Sequence, residues 1–394
     1  MIAIKKGVIA TFGTKILVAF LGLCLVVLIS KYLGAEGRGI LSLFTLYIAL
    51  LQMVCDFGSS SAIINLSYKY ANKNLWFTAN IWVISICTIA VVIFLFYQPI
   101  PFIIFVPICT LLLCFTNINN LLLMGNRAVI KRNINLVLQP LLLLLFFLIL
   151  YFVFNLKTSS YIIAFIASTS ILTIISYIFI QKYIVFKPPF KFEKNVLAVG
   201  FWAQSGHFIQ FLTYRVNFLL IAYFLGKASV GIYSNAVLIG ETLWIFGHSL
   251  GQIMHLKILN TDSIAFQRKL TLKFTLINLL ITASSFLIIY SLPTTFWTQI
   301  FSVEFTAIKS LLKPLALGIL VFSCSNILNH YFHAQNKFKL IVLTNSIGLA
   351  FCLVTAYFLI PLHGLNGAAW AWSIGLSSSM VMYLWLYIFK KDAP

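Results

Sequence analysis

Apolar stretches of 18 residues or more recur along the whole chain, and each is long enough to cross a bilayer as an α-helix. Hydrophobic residues make up 61% of the 394, charged residues only 9%, and the mean hydropathy is +1.03. This composition excludes an ordinary soluble domain, and the stretches lack the ten-residue alternation of barrel strands. The sequence therefore predicts an all-α integral membrane protein.

Breaks at polar residues, glycines and prolines divide the chain into about twelve predicted transmembrane helices. The first apolar run follows Lys5 and Lys6 and has no cleavage site of small residues, so we interpret it as a span and not as a signal peptide. The predicted spans are residues 8–32, 39–66, 75–97, 101–124, 134–156, 160–181, 197–225, 231–256, 271–291, 310–333, 340–360 and 365–389.

The basic residues predict the orientation of these spans, because lysine and arginine in short loops resist translocation. Of the 27 lysines and arginines, nineteen fall in loops or ends on the side of the N-terminus and six on the other side. We therefore expect a multi-pass protein of the bacterial cytoplasmic (inner) membrane with both termini in the cytoplasm. The basic residues are scattered singly, so the net charge of +20 does not indicate a nucleic-acid partner.

Two groups of residues recur at fixed offsets in the two halves of the chain. Gly34 and Gly39 reappear 192 positions later as Gly226 and Gly231, while Asn119, Asn126 and Asn135 reappear 210 positions later as Asn329, Asn336 and Asn345. Apart from chance similarity between leucine-rich segments, the explanation is a parallel repeat of six plus six helices. This repeat predicts an N-terminal lobe over residues 1–195 and a C-terminal lobe over 196–394, around a central cavity.

Polar residues spaced three or four apart mark the helix faces that turn away from lipid. The buried charges predict two contacts by depth, Arg215 with Glu241 and Lys15 with Asp56. We expect the cations Lys15, His207 and Arg215 to bind substrate, the carboxylates Asp56 and Glu241 to hold those cations or a coupling ion, and Gln52, Gln204, His248, Gln252, Asn329 and His333 to line the cavity.

Structural roles remain open for the same residues. Lys15 is near enough to the membrane surface to extend its amine into water, and Arg215 with Glu241 is equally an internal ion pair that braces the helices. The histidines and amides are also typical hydrogen-bonding groups between helices. No metal site is expected, because no cysteine or carboxylate completes a ligand set with the histidines, and the seven cysteines are expected to be small core residues.

Four stretches of the sequence share the pattern of one known family. The segment 33–39, LGAEGRG, leads into the second span, and Asp56-Phe57-Gly58 lies further along that span. The other two stretches are residues 301–318 and 364–369. Together they resemble polysaccharide repeat-unit flippases of the Wzx type, in the multidrug/oligosaccharidyl-lipid/polysaccharide (MOP) exporter superfamily, which has a MATE-like fold. Ala35 replaces the family's proline, and Ser302-Val303 replaces its common glycine, but neither change touches the expected cavity.

The resemblance implies a flippase, not an enzyme, that moves an undecaprenyl-pyrophosphate-linked oligosaccharide such as an O-antigen unit from the cytoplasmic to the periplasmic leaflet by alternating access. It implies no cofactor beyond coupling to H⁺ or Na⁺. The expected partners are the lipid-linked oligosaccharide, membrane lipids, a polysaccharide polymerase and glycosyltransferases, with the protein itself acting as a monomer. The alternatives are a MATE-like secondary exporter of small molecules and a membrane polysaccharide polymerase, although the chain has no long periplasmic loop of the kind that a polymerase carries.

Overall fold

The computed structural model describes residues 2–59, 62–261 and 263–389, and within these ranges the chain contains helices and no strand. Ten helices are long and apolar enough to cross a membrane, and two of them are pairs joined at a kinked glycine, which gives the twelve spans expected. The α-helices are α1 (Ile2–Ser59), α2 (Ala62–Leu66), α3 (Asn72–Phe96), α4 (Val106–Gly125), α5 (Val129–Phe152), α6 (Thr158–Gln181), α7 (Lys194–Leu225), α8 (Lys227–Leu259), α9 (Ile264–Ser291), α10 (Thr294–Ile300), α11 (Ile308–Ala334) and α12 (Phe338–Phe389).

The second span, expected over residues 39–66, is helical up to Ser59 and again over Ala62–Leu66, in agreement with the prediction for the residues described. Residues 60–61, and the basic C-terminal residues Lys390 and Lys391, lie outside the described residues.

Backbone conformation repeats in the same order in the two halves. Gly34 (φ 69°, ψ −172°) and Gly226 (φ 85°, ψ 176°) occupy the same unusual region, which only glycine enters without strain. Arg127 (φ 58°) and Asn336 (φ 56°) both end a helix in the left-handed conformation. In these turns Ala128 N–H donates to Leu123 O (2.8 Å) and Lys337 N–H to Phe332 O (3.0 Å).

These turns refine the second offset of the repeat. The matching left-handed residues are 209 positions apart, whereas the asparagine side chains match at 210. The backbone turn fixes where each helix stops, so 209 is the structural register, and the asparagine match is displaced from it by one residue. The 192-residue offset holds unchanged at Gly34 and Gly226.

The chain divides into two compact units, Met1–Leu33 with Ile40–Ser205 and Gly34–Gly39 with Gly206–Pro394. The first unit has a core that includes the buried Cys55, Cys87 and Cys114. All seven cysteines are free, six of them are buried, and the prediction that they are core residues is confirmed for those six. In the second unit a core of large side chains, including Tyr331, Phe332 and Tyr383, joins α8, α11 and α12.

The segment Gly34–Gly39 packs within the second unit through a reciprocal contact of small residues. A Cβ on Gly39 would overlap the carbonyl oxygen of Lys227, and a Cβ on Gly231 would overlap that of Ala35. Since Lys227 and Gly231 lie 192 positions after Ala35 and Gly39, the two contacts are equivalent under the repeat. Small residues spaced by four let two membrane helices approach to backbone contact. The N-terminal half contributes such a pair, Ala35 and Gly39, and the C-terminal half contributes Gly231 and the backbone of Lys227.

Candidate functional site

An ion pair between α7 and α8 forms the centre of the candidate site in the second unit. Arg215 Nη2 donates to Glu241 Oε2 at 2.9 Å, so the contact predicted from depth is confirmed. Arg215 lies ten residues before the end of α7 and Glu241 fourteen after the start of α8. At about 1.5 Å per residue both are roughly 15–20 Å from the helix ends, well inside a hydrocarbon layer about 30 Å thick.

The pair is only partly enclosed, and much of its hydrogen-bonding capacity is unused. The side chains are 27% and 16% exposed for Arg215 and Glu241. A guanidinium has five N–H donors, but only this one bond is made to the described residues, and Glu241 Oε1 is buried with no hydrogen-bond partner among them. The arginine also lies over the ring of Phe218, 5.2 Å from its centroid. This arrangement leaves a guanidinium that can accept a further anionic partner without leaving Glu241.

A wall of aromatic rings holds the helices around the pair. Tyr214, next to Arg215, packs against Trp244 and Phe322, with ring centroids 5.4 and 5.1 Å away. Trp244 in turn stacks on Trp372, with centroids 5.8 Å apart and an interplanar angle of 10°. Because α7, α8, α11 and α12 each contribute a ring, the wall fixes the rotation of the helix that carries Arg215.

Histidines from three helices gather elsewhere in the second unit. His207 on α7 stacks on His333 of α11, with centroids 5.6 Å apart and an interplanar angle of 16°. His255 on α8 meets His330 edge to face at 6.1 Å, and its Nδ1 lies 3.2 Å from the His330 carbonyl oxygen. Of the other predicted lining residues here, His248 and Gln252 are exposed, while Asn329 is buried and its Oδ1 has no hydrogen-bond partner among the described residues.

The predicted residues of the first unit do not form a comparable pair. The prediction that Lys15 meets Asp56 is wrong, because no ion pair joins them, and Asp56 Oδ1 instead accepts a hydrogen bond from Ser59 Oγ at 3.3 Å. Lys15 is exposed. Gln52 is half-buried, and Gln204 Nε2 lies 3.5 Å from the sulfur of Met53. The first unit therefore presents Lys15 and Asp56 as separate groups.

Two polar contacts of the second unit were not expected from the sequence. Glu304 Oε2 accepts a hydrogen bond from the backbone N–H of Ala35, at the point where α1 restarts after the Gly34 kink. Asn217 is fully buried and donates from Nδ2 to the carbonyl oxygen of Ala368 at 2.9 Å. The first contact joins two of the sequence stretches already singled out, and the second joins Ala368 of a third stretch to Asn217, which lies in none of them. No sequence signal pairs these segments.

Residues 4–247 match the sequence profile of the polysaccharide biosynthesis protein family. The chain belongs to this family. No curated protein matches the chain by sequence. As a polysaccharide biosynthesis family member whose described residues include ten helices that are long and apolar enough to cross a membrane, it is a multi-pass membrane protein.

Solved structures share its fold over nearly the whole chain. The lipid II flippase MurJ in an inward closed conformation matches with a TM-score of 0.76 and 16% identity, covering 98% of this chain and 87% of that one. An inward-facing multidrug resistance MATE family transporter of the MOP superfamily matches with a TM-score of 0.74 and 14% identity, covering 93% of each chain. A MATE transporter from Vibrio cholerae matches with a TM-score of 0.66 and 13% identity, covering 98% of this chain and 97% of that one. The predicted all-α, MATE-like fold is therefore confirmed.

Proposed function

We propose that this family member is a flippase that moves an undecaprenyl-pyrophosphate-linked oligosaccharide, an O-antigen unit or a similar repeat unit, from the cytoplasmic to the periplasmic leaflet by alternating access. The observation that carries the proposal is the partly exposed Arg215–Glu241 pair in the middle of α7 and α8. The match to the polysaccharide biosynthesis family and the likeness to the lipid II flippase support a lipid-linked saccharide as the cargo.

A pyrophosphate cannot enter hydrocarbon unless other polar groups replace the water molecules around it. A cation inside the membrane-spanning helices can do this for the pyrophosphate of the substrate. The planar guanidinium of Arg215 suits phosphate oxygens, to which it donates two parallel hydrogen bonds, and most of its donors are unused by the described residues. Lys15 and His207 supply further cations for the pyrophosphate at other depths, while the polyprenyl tail stays in lipid.

The carboxylates provide the coupling in this proposal. Glu241 neutralises the charge of Arg215 when no substrate is bound. Either Asp56 or Glu241 also binds the proton or sodium ion whose movement drives the transport cycle. Gln52, Gln204 and Gln252 offer hydrogen bonds to sugar hydroxyls. In the cell the protein would act as a monomer in the cytoplasmic membrane, between glycosyltransferases that build the unit and a polymerase that extends it.

Reconstitution into proteoliposomes tests the proposal directly. A fluorescent polyprenyl-pyrophosphate-linked saccharide is placed in both leaflets, and flipping is followed by quenching with an impermeant reagent. Arg215→Gln should slow flipping at least tenfold, Arg215→Lys less, and the exposed-loop control Lys182→Gln should match wild type. Wild-type flipping by folded Arg215→Gln would refute the role of Arg215.

The double variant Arg215→Gln/Glu241→Gln separates substrate binding from bracing. If the pair only braces the helices, removing both charges together relieves the unpaired charge left by either single change and restores transport. If Arg215 binds the pyrophosphate, the double variant stays inactive although it regains stability.

A secondary exporter of small molecules is the second candidate, and the likeness to MATE transporters favours it. Overexpression would then raise resistance to cationic drugs, and proteoliposomes would show no flipping of the lipid-linked saccharide.

A further inference from the structure

Nine basic residues lie at one end of the first unit, where α3 and α5 begin and α4 and α6 end. We call this surface the basic end, and its residues are Lys69, Lys73, Arg127, Lys131, Arg132, Lys182, Lys187, Lys191 and Lys194. The loops at the opposite ends of these helices, residues 97–105 and 153–157, contain one basic residue, Lys157. The positive charge of the first unit is therefore concentrated at one end.

Contacts between the turns join the basic residues into one surface. Asn72 at the start of α3 donates from Nδ2 to Oδ1 of Asn126, in the turn between α4 and α5, at 3.1 Å. Lys131 in the first turn of α5 places its Nζ over the ring of Tyr183, 5.2 Å from the centroid, just beyond the end of α6. The starts of α3 and α5 and the ends of α4 and α6 are thus held side by side.

The linker between α6 and α7, residues 182–193, is irregular and is held against the start of α3. Lys73 Nζ donates to a carbonyl oxygen of the linker at 3.0 Å. Asn74 accepts a hydrogen bond from the backbone N–H of Lys191 at 3.1 Å and donates to Oε1 of Glu193 at 3.1 Å. These contacts use the backbone of the linker and its carboxylate, and they leave the lysine side chains of the linker at the surface.

Few carboxylates oppose this positive charge. The sequence of the first unit contains two, Asp56 and Glu193. Asp56 accepts a hydrogen bond from Ser59 on its own helix, and Glu193 is the carboxylate that Asn74 binds. Nine basic residues therefore share an end of the unit with one carboxylate of the linker, and this surface suits a partner that carries several negative charges.

The outer face of the linker indicates which anionic partner fits. Lys187 and Lys191 are exposed, and so are the apolar side chains of Val185 and Phe192, at 68% and 44%. Lysines beside exposed apolar side chains are typical of segments in a bilayer interface, where the apolar groups enter the edge of the hydrocarbon and the amines reach lipid phosphates. Since α3, α5 and α6 are each long and apolar enough to cross a membrane, their ends lie at the level of the lipid headgroups.

We propose that the basic end is a binding surface for anionic phospholipid headgroups of the leaflet in which it lies. Clustered lysines and arginines next to membrane-spanning helices attract lipid phosphates, and Val185 and Phe192 place the linker among the headgroups. The inference goes beyond the proposed flippase, because it concerns lipids that are not transported. It holds or fails independently of the substrate.

Displacement of a labelled lipid from the purified full-length protein tests the surface. The protein in detergent is saturated with dansyl-labelled phosphatidylglycerol, and energy transfer from tryptophan reports the bound lipid. Trp76 supplies a nearby donor, because its ring centroid is 5.0 Å from that of Phe186 in the linker. Unlabelled phosphatidylglycerol should displace the label at a concentration at least about tenfold lower than phosphatidylcholine, because only the first headgroup carries a net negative charge. Equal displacement by the two lipids overturns the inference and leaves the basic end to an acidic protein partner.

A triple variant locates the bound lipid. Lys187→Gln/Lys191→Gln/Lys194→Gln removes three exposed charges but keeps the backbone groups that hold the linker, so the protein should fold. The preference for phosphatidylglycerol should fall at least about fivefold. If the triple variant retains the wild-type preference, the lipid does not bind at the basic end and the inference fails.

A matched variant controls for the total charge. Lys269→Gln/Lys273→Gln/Lys339→Gln removes three exposed charges from the second unit and should keep the wild-type preference. An equal loss in both triple variants would show that the preference follows net charge and not this surface, which also overturns the inference.

Salt provides a test on the wild-type protein that needs no variant. The preference should fall at least about threefold between about 0.1 M and about 1 M NaCl, because the Debye length shortens from about 10 to about 3 Å. A preference that does not change with salt would mean that the lipid is recognised without the exposed lysines, and the inference would be wrong.

Discussion

Replacing Gly39 with alanine should destabilise the protein although alanine is the better helix former. A Cβ at Gly39 would lie 2.6 Å from the carbonyl carbon of Lys227 and 3.1 Å from the amide nitrogen of Gly231, as well as overlapping the Lys227 carbonyl oxygen. Ordinary contacts between such atoms are about 3.5–4.0 Å. The clashing atoms are backbone, so no side-chain rotation relieves the overlap, and α1 and α8 must move apart by about 1 Å.

The expected loss follows from that movement. Forcing extra volume into a well-packed contact costs about 1–3 kcal/mol, against a gain of at most about 1 kcal/mol from replacing a helical glycine. For a unit of this size, each kcal/mol corresponds to roughly 2–4 °C in melting temperature. With a net loss of about 1–2 kcal/mol, we expect Gly39→Ala to melt about 2–8 °C below wild type, and Gly231→Ala, its equivalent under the repeat, to behave alike.

Gly22→Ala is the matched control. Gly22 lies in the same helix, has no atom within 4 Å of an added Cβ, and has ordinary helical backbone. This variant should melt at or slightly above the wild-type temperature, because only the helix propensity changes. Melting is followed in detergent by fluorescence-detected size-exclusion chromatography. If Gly39→Ala and Gly22→Ala have equal melting temperatures, the backbone contact is not formed as described.

Two further variants test contacts that the sequence did not reveal. Glu304→Ala removes the acceptor for the Ala35 N–H, so it should lower the melting temperature by an amount that corresponds to loss of a helix cap, about 1 kcal/mol. The control Glu36→Ala, at a nearby exposed side chain, should leave the melting temperature unchanged. Equal melting temperatures for the two variants would contradict a capping role for Glu304. Asn217→Ala removes the donor at 2.9 Å from the buried Ala368 carbonyl, leaves only the Tyr233 hydroxyl at 3.5 Å as a side-chain donor, and should cost about 1–3 kcal/mol. The exposed Asn260→Ala should be neutral in the same melting assay, and an unaffected Asn217→Ala would contradict the contact.

Hydrophobic length and glycine position allowed the spans and the breaks between them to be predicted from the sequence. A run of about twenty apolar residues is stable in a bilayer as an α-helix, and Gly34 and Gly226 mark the positions where the backbone departs from the helical conformation. The contacts of Glu304 and Asn217 were not predictable in this way. They join segments 269 and 151 residues apart, and their pairing depends on how packed helices bring loops and backbone carbonyls together.

The two ion-pair predictions show what depth along a helix determines and what it leaves open. Arg215 with Glu241 and Lys15 with Asp56 were each predicted to meet because their depths are similar, yet only the first pair forms. Depth determines only the position of a residue along the membrane normal. Contact also requires that the two side chains lie on the sides of their helices that face each other. In the second unit the aromatic wall, with Tyr214 next to Arg215, sets that rotation.

The repeat explains why titratable groups assemble in one half and not in the other. Under the 192-residue offset, Lys15 and Asp56 correspond to His207 and His248, so both halves place polar groups at these positions of their first two spans. The difference lies on the third helix. His330 and His333 of α11 correspond, at the structural offset of 209, to Leu121 and Met124 of α4. The second half therefore has imidazoles on α11 that link its two positions into a cluster, and the first half has apolar side chains there, which leaves Lys15 and Asp56 unlinked. These different residues on one helix make the two halves chemically different, while the backbone conformations at the matching turns stay alike.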